Sequence, residues 1–206
     1  MQSTMPKQFM TICGLPMLMH TLLIFAPMVK KTFLTLPSEF HVLWENLVQQ
    51  YSFNMNLTII QGGKTRFDSV KNALCQLPDD GLVAIHDAVR PCVTKTLIQK
   101  CFEHAEQNGS AIPCVPVVDS LRKKTNKGSQ IVDRDLFLSV QTPQVFFCKE
   151  IKKAYSQNYS PAFTDDASVM ETWGKDVSCL KGDPNNIKVT IQKDLFLAEY
   201  LLQTQR

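Results

Sequence analysis

Short apolar runs rich in β-branched residues alternate along this chain with stretches of helical period, and that alternation most narrows what it can become. It is the pattern of an α/β fold built on a mainly parallel sheet. Pro16 opens a helix that runs to about Phe25, a strand follows at Thr32 to Leu36, and Phe40 to Tyr51 has helical period. LTII (57–60) reads as a strand, after which GGKTRFDS turns into a helix ending near Leu77 and PDDG marks a loop. Leu82 to Ile85 is the next strand and Thr94 to Gln107 the next helix.

Two prolines interrupt AIPCVPVV (111–118), which predicts an edge strand, a bend or the start of a departing segment. Residues 119–142 then place a polar NKGS turn between two extended runs, the pattern of a two-stranded β-arm leaving the core. Such a hairpin is marginal alone in water and calls for a partner surface. The chain returns through helices from Lys149 and from Thr164 to Trp173, a short strand at Val177 to Leu180, and a last helix from Asp194 to about Leu202. At 206 residues the chain is read as a single domain, 1–206, with residues 119–142 as its arm.

The bulk composition excludes more than it identifies. A net charge of +3 spread over the chain is too weak to announce nucleic acid. The apolar stretch from Leu15 to Val29 is broken by His20, Thr21 and Pro27, falls short of the roughly 20 residues that span a bilayer, and lacks a signal peptide's flanks. It reads as a buried helix, with no membrane partner. Cys13, Cys75, Cys92, Cys101, Cys114, Cys148 and Cys179 form an odd set without CxxC or zinc spacing, as expected of free thiols in a reducing cytoplasm.

Three stretches carry possible chemistry. QGGKTRFDSV puts two glycines between a strand and a helix start, where free amides favour anions or polar ligand edges; plain turn chemistry explains it equally. HDAVRP ends a strand where open α/β sheets bind ligands, so Asp87 can accept from sugar hydroxyls or help hold a cation while Arg90 grips a phosphate. A surface ion pair closed by Pro91 is the competing reading. FTDDASVM begins as a capped helix with Thr164 or Asp165 at the cap. Lys188 in GDPNNIKVT and Lys7 in PKQF are unremarkable in isolation.

In succession, PKQF, GGKTRFDSV, HDAVRP, PVVDS, VDR, QTPQ, TDDAS and GDPNNIKVT resemble the 2-C-methyl-D-erythritol 4-phosphate cytidylyltransferases of the non-mevalonate isoprenoid pathway, from Pro6 to about Leu202. The resemblance implies a Rossmann-like nucleotidyltransferase fold and a reaction in which a methylerythritol phosphate attacks the α-phosphorus of CTP and expels pyrophosphate, assisted by a divalent cation, usually magnesium. It implies that Lys7 and Lys188 flank the α-phosphate, and that Gly63, Lys64 and Ser69 lie around cytidine. Asp87 would face the sugar alcohol and the metal-bound triphosphate, and Arg90 would orient the substrate phosphate. Ser120, Arg134, Thr142 and Thr164 would complete the sugar-phosphate pocket, with Arg134 reaching a second subunit's site in an arm-exchanged homodimer. The metal's ligands are left unknown.

Members of that family open with a strand and a loop of the form AAGxGxRMG. Here the chain reads MQSTMPKQF, so Met1 falls on that motif's methionine and the strand, loop and arginine are expected to be missing, with weak CTP binding as the consequence. A misplaced start codon, a truncated gene and a degenerate remnant all fit. Two alternatives stay open: a ribitol-5-phosphate cytidylyltransferase, and a non-catalytic truncated homologue.

Overall fold

A computed structural model describes residues 5–204. Met1, the point of comparison with the glycine-rich loop, lies outside them. After a 3-10 turn at Lys7–Phe9, the elements are β1 (Thr11–Ile12), β2 (Leu15–Pro16), α1 (Met17–Phe25), β3 (Phe33–Leu36), α2 (His41–Gln50), β4 (Thr58–Gln61), α3 (Arg66–Leu74), β5 (Leu82–Ile85) and α4 (Lys95–Asn108). There follow β6 (Ser110–Pro116), β7 (Arg122–Thr125), β8 (Gly128–Ile131), β9 (Leu138–Val140), β10 (Gln144–Phe147), α5 (Cys148–Ala154), α6 (Asp166–Thr172), β11 (Cys179–Lys181) and α7 (Gln192–Thr204).

The larger sheet has the order β11-β6-β10-β5, with β9 also paired to β6. β11 is parallel to β6, and β10 runs antiparallel between β6 and β5, so β5, β6 and β11 share one direction. β3 and β4 form a separate parallel pair. Side-chain alternation divides the core: Ile112, Cys114 and Phe146 pack with α3, α5 and α6, whereas Ala111 and Val145 pack with α4 and Phe25. This period of two gives the sheet two covered faces.

Capping sets where the helices start. Thr65 accepts from the Asp68 amide and Asp165 from the Ser168 amide, each in a reciprocal capping box, and Thr94 caps α4. Asp165, rather than Thr164, is therefore the cap of α6. Each such cap contributes about 1 kcal/mol. Gly109, at φ 86°, ends α4 in the left-handed conformation that glycine adopts without steric cost. The apolar stretch at Leu15 folds as the expected buried helix: Met17, Leu18, Met19 and Leu22 are all in the core.

Sequence and structure part at two strands. Of the readings of β6 as an edge, a bend or the start of a departing segment, the edge fails, because β6 is interior despite its prolines, while the chain does depart from it into the arm. Pro113 is tolerated because it sits where β6 exchanges one neighbour for another: Ala111 pairs with β10 and Cys114 with β9, so no ladder donor is needed between them. Its carbonyl still accepts from the Gln141 amide at 2.8 Å. The second is β10, which the sequence reading passed over on the way to α5. The arm appears as β7 and β8, paired with each other and exposed along their length.

Candidate functional site

Beyond the carboxyl end of β5 and beside the start of β10 lies a cleft of about 250 Å³ lined by Arg66, Asp87, Arg90, Thr142, Gln144, Thr164, Asp165 and Lys188, with Val140 and Gln141. Asp87 is its hub. Lys188 Nζ lies 3.0 Å from Asp87 Oδ2, Arg90 Nε 3.6 Å from the same oxygen, and Arg66 Nε 3.5 Å from Oδ1. Burial pushes the Asp87 carboxyl upward, but Arg66, Lys188 and Arg90 outweigh it and hold the group below the usual aspartate range. The carboxylate is thus ionised and surrounded by positive charge.

The surrounding loops fix Asp87 from behind. Its amide donates to Thr142 Oγ1 at 3.0 Å, and that hydroxyl meets His86 Nδ1 at 3.0 Å. His86 Nε2 bonds the Arg90 carbonyl at 3.2 Å, closing the turn HDAVR on itself. Arg90 is almost fully buried: Nη1 donates to the Asn186 carbonyl at 2.8 Å and Nη2 to the Val140 carbonyl at 3.4 Å. Its fork is occupied by backbone oxygens, and only Nε is left without a hydrogen-bond partner.

Arg66 opens α3 and links Asp87 to Asp166. It holds the Asp166 carboxylate with two bonds, 3.0 and 2.7 Å, while Tyr155 donates to Asp166 at 2.5 Å. Asp166 is 0% exposed at the start of α6, where the helix dipole also favours an anion. Burial would lower the Arg66 guanidinium, yet Asp166 and Asp87 hold it above its ordinary value.

The other sequence-predicted residues fall into three places. Lys7 bonds the Thr190 carbonyl, two residues beyond Lys188, so the two lysine-bearing segments are brought together. In the glycine turn, Ser69 Oγ accepts from the Gly63 amide at 2.9 Å and donates to the Thr65 carbonyl, which makes it a brace of the turn; Lys64 is exposed beside it. Gly63 is required there because a Cβ would lie 2.2 Å from Asp68 Cβ. Ser120 and Arg134 are exposed on the arm, where Arg134 donates to the Val118 carbonyl; neither lines the cleft of its own chain.

Sequence reasoning passed over Arg66, Gln144 and Asp166, although each lies inside a quoted motif. Gln144 donates to Asp165 at 2.8 Å and accepts from the Ala167 amide at 2.9 Å, so it seats the start of α6 against β10. Its signal was only a glutamine after proline. Among the described residues, no three His, Cys, Asp or Glu side chains converge as a metal site, and no helix is long and apolar enough to cross a membrane.

A cationic cleft around one carboxylate, at the carboxyl ends of an α/β sheet, suits a phosphorylated ligand. Known proteins point the same way. The family model described as IspD, 2-C-methyl-D-erythritol 4-phosphate cytidylyltransferase, matches residues 1–204. A Porphyromonas gingivalis protein named 2-C-methyl-D-erythritol 4-phosphate cytidylyltransferase is 46% identical over 198 residues, covering 96% of this chain and 89% of that protein. One of the same name from Bacteroides thetaiotaomicron is 44% identical over 204 residues, covering 98% and 93%. The crystal structure of the Thermus thermophilus enzyme of that name superposes with a TM-score of 0.81 at 29% identity, covering 96% of this chain and 94% of that one.

Proposed function

The chain belongs to the 2-C-methyl-D-erythritol 4-phosphate cytidylyltransferase family, whose reaction is CTP-dependent cytidylyl transfer in the non-mevalonate pathway, and we propose that this transfer takes place in the cleft at Asp87. The observation that carries the assignment of the site is the convergence of Lys188, Arg66 and Arg90 on one largely buried carboxylate.

A phosphate oxygen of the sugar-alcohol phosphate forms a bond to the α-phosphorus of CTP, and the bond to pyrophosphate breaks. Negative charge spreads over the phosphoryl oxygens in that transition state, so catalysis rests on fixed cations and positioning. Lys188 and Lys7 supply the cations at the transferring phosphoryl group. Gly63, Lys64 and Ser69 form the cytidine side, with the Gly63 turn braced by the Ser69 hydroxyl. Thr142, Thr164 and the Asp87 carboxylate face the sugar alcohol, and Arg90 holds the loops beneath it.

The divalent cation is magnesium in this reading. The site's residues fit it modestly: Asp87 is one hard oxygen donor, and the phosphate oxygens of CTP supply others. When bound, the ion would neutralise charge on the departing pyrophosphate.

The arm is assigned to a homodimer. It exposes Val118, Ile131, Leu136, Phe137 and Leu138, more apolar surface than a projecting hairpin keeps in water without a partner. A second copy would cover it and bring Ser120 and Arg134 to the neighbouring site. Free cysteines throughout the chain suit the cytoplasm.

The test is pyrophosphate release from CTP and magnesium with methylerythritol 4-phosphate and, separately, ribitol 5-phosphate. Release with the first and not the second is expected. Release with ribitol phosphate alone overturns the substrate, and release with neither from folded protein overturns the function.

A further inference from the structure

Lys188 sits on a segment with little regular structure, between the end of β11 and α7, yet its ammonium is held to Asp87 at 3.0 Å. On its far side the segment is pinned by the Val189 amide, which donates to the Val89 carbonyl at 2.9 Å; on its near side it is held by a small set of buried side-chain amides. Asn186, 0% exposed, donates from Nδ2 to the Thr142 carbonyl at 2.8 Å, while its own carbonyl accepts from Arg90 at 2.8 Å and from Gln141 Nε2 at 3.4 Å. Gln141 reaches further back, donating to the Asp183 carbonyl at 2.8 Å and accepting from the Asp183 amide at 3.1 Å.

These bonds close a ring. From Lys188 the chain runs through Ile187 to Asn186, whose side chain grips Thr142; the Thr142 hydroxyl accepts from the Asp87 amide, and the Asp87 carboxylate meets Lys188. Asn186 thereby ties both members of the Lys188–Asp87 pair to one backbone segment. Its Oδ1, however, is buried without a hydrogen-bond partner. A buried acceptor left unpaired opposes folding, so this asparagine is a poor choice for stability and a reasonable one for geometry.

We propose that Asn186, seconded by Gln141, is a positioning residue of the transfer reaction: its side-chain bond to the Thr142 carbonyl sets where the Lys188 ammonium stands relative to Asp87. This rests on the functional reading above, in which Lys188 touches the transferring phosphoryl group.

Asn186→Ala, Lys188→Ala and the double variant in the full chain decide it, with steady-state kinetics as one measurement and the Asp87 carboxyl titration, followed by carbon NMR, as the other. Asn186→Ala is expected to lower kcat about a hundredfold, the scale of a small misplacement of a catalytic group, with the KM for each substrate little changed. It should raise the Asp87 titration as Lys188→Ala does, and the double variant should be no worse than Lys188→Ala alone. A kcat within about twofold of the parent, the scatter of independent sites, overturns the proposal; so do losses that multiply in the double variant, or an Asp87 titration that moves in Lys188→Ala and not in Asn186→Ala. If Asn186→Ala does not fold, Gln141→Met, which deletes the bonds to Asp183 and to the Asn186 carbonyl, is read by the same criteria. If the parent protein makes no product, the functional reading fails, and the Asp87 titration still decides whether Asn186 positions Lys188.

Discussion

Acid should weaken this protein from about pH 6.5 downward, earlier than carboxylate protonation begins, because of His86. The ring packs against Phe25 with centroids 4.9 Å apart, and both nitrogens are committed: the Thr142 hydroxyl, already accepting from Asp87, turns its hydrogen to Nδ1, and Nε2 donates to the Arg90 carbonyl. A proton on Nδ1 would force that hydroxyl to turn its hydrogen away and accept instead. Burial, aided by the nearby Arg90 charge and opposed by Asp87, pushes the imidazole from 6.5 down to about 4. Between those values the unfolded chain binds a proton that the folded one refuses, so stability is complete above 6.5 and falls as pH drops toward 4. At about 1.4 kcal/mol per unit, this displacement amounts to about 3 kcal/mol, a large part of the roughly 5 to 15 kcal/mol that typically holds a domain together. Urea unfolding, followed by fluorescence of the buried Trp44 at several pH values from about 7 to about 4.5, measures it in the parent and in His86→Gln. The parent should lose more stability than the variant, approaching about 1.4 kcal/mol more per pH unit below about 6. Parallel curves would refute the argument.

Three further outcomes are expected. Lys188→Ala should cut turnover by about 10² to 10³ and leave the melting temperature nearly unchanged, since its side chain is 47% exposed and its ion pair correspondingly weak in stability. Arg66→Ala leaves the buried Asp166 carboxylate with only Tyr155 beside it; thermal and urea unfolding should show a loss of about 3 kcal/mol, the low end for a broken buried pair because Arg66 is 39% exposed. Gly63→Ala forces a Cβ to 2.2 Å from Asp68 Cβ, so the turn and its capping box must shift; a loss of about 1 to 3 kcal/mol is expected, together with a raised KM for CTP.

The elements that the sequence announced are those with a strong local reason to exist. α1 is apolar around most of its circumference and α4 carries a threonine cap and a terminal glycine, so each was legible from its own residues. β10 was not. QVFF is four residues long, too short to show alternation, and it is a strand because β5 and β6 present edges on either side of it. Pro113 misled for a related reason: a proline in a strand argues for an edge until the neighbouring strand is known to change at that residue.

The candidate site was legible as residue types and illegible as a division of labour among them. An arginine three residues from an aspartate at a strand's end reads as a phosphate grip, but the Arg90 Nη atoms are spent on the carbonyls of Asn186 and Val140, and freeing them would open two loops at once. Arg66 cannot be released either without stranding Asp166, 100 residues away in sequence, and no local pattern announces that pairing. Lys188 differs from both: it stands half in water, and its tie to the cleft is the ion pair with Asp87 itself. An incoming phosphate that takes its ammonium from Asp87 exchanges one charged partner for another and leaves the buried contacts of Arg90 and Asp166 in place. In the proposed reaction Asp87, still held by Arg66 and Arg90, would stay ionised and free to accept from the sugar alcohol. Under the proposed function, the carboxylate that organises the cleft is thus also the group that would yield its lysine to the reaction.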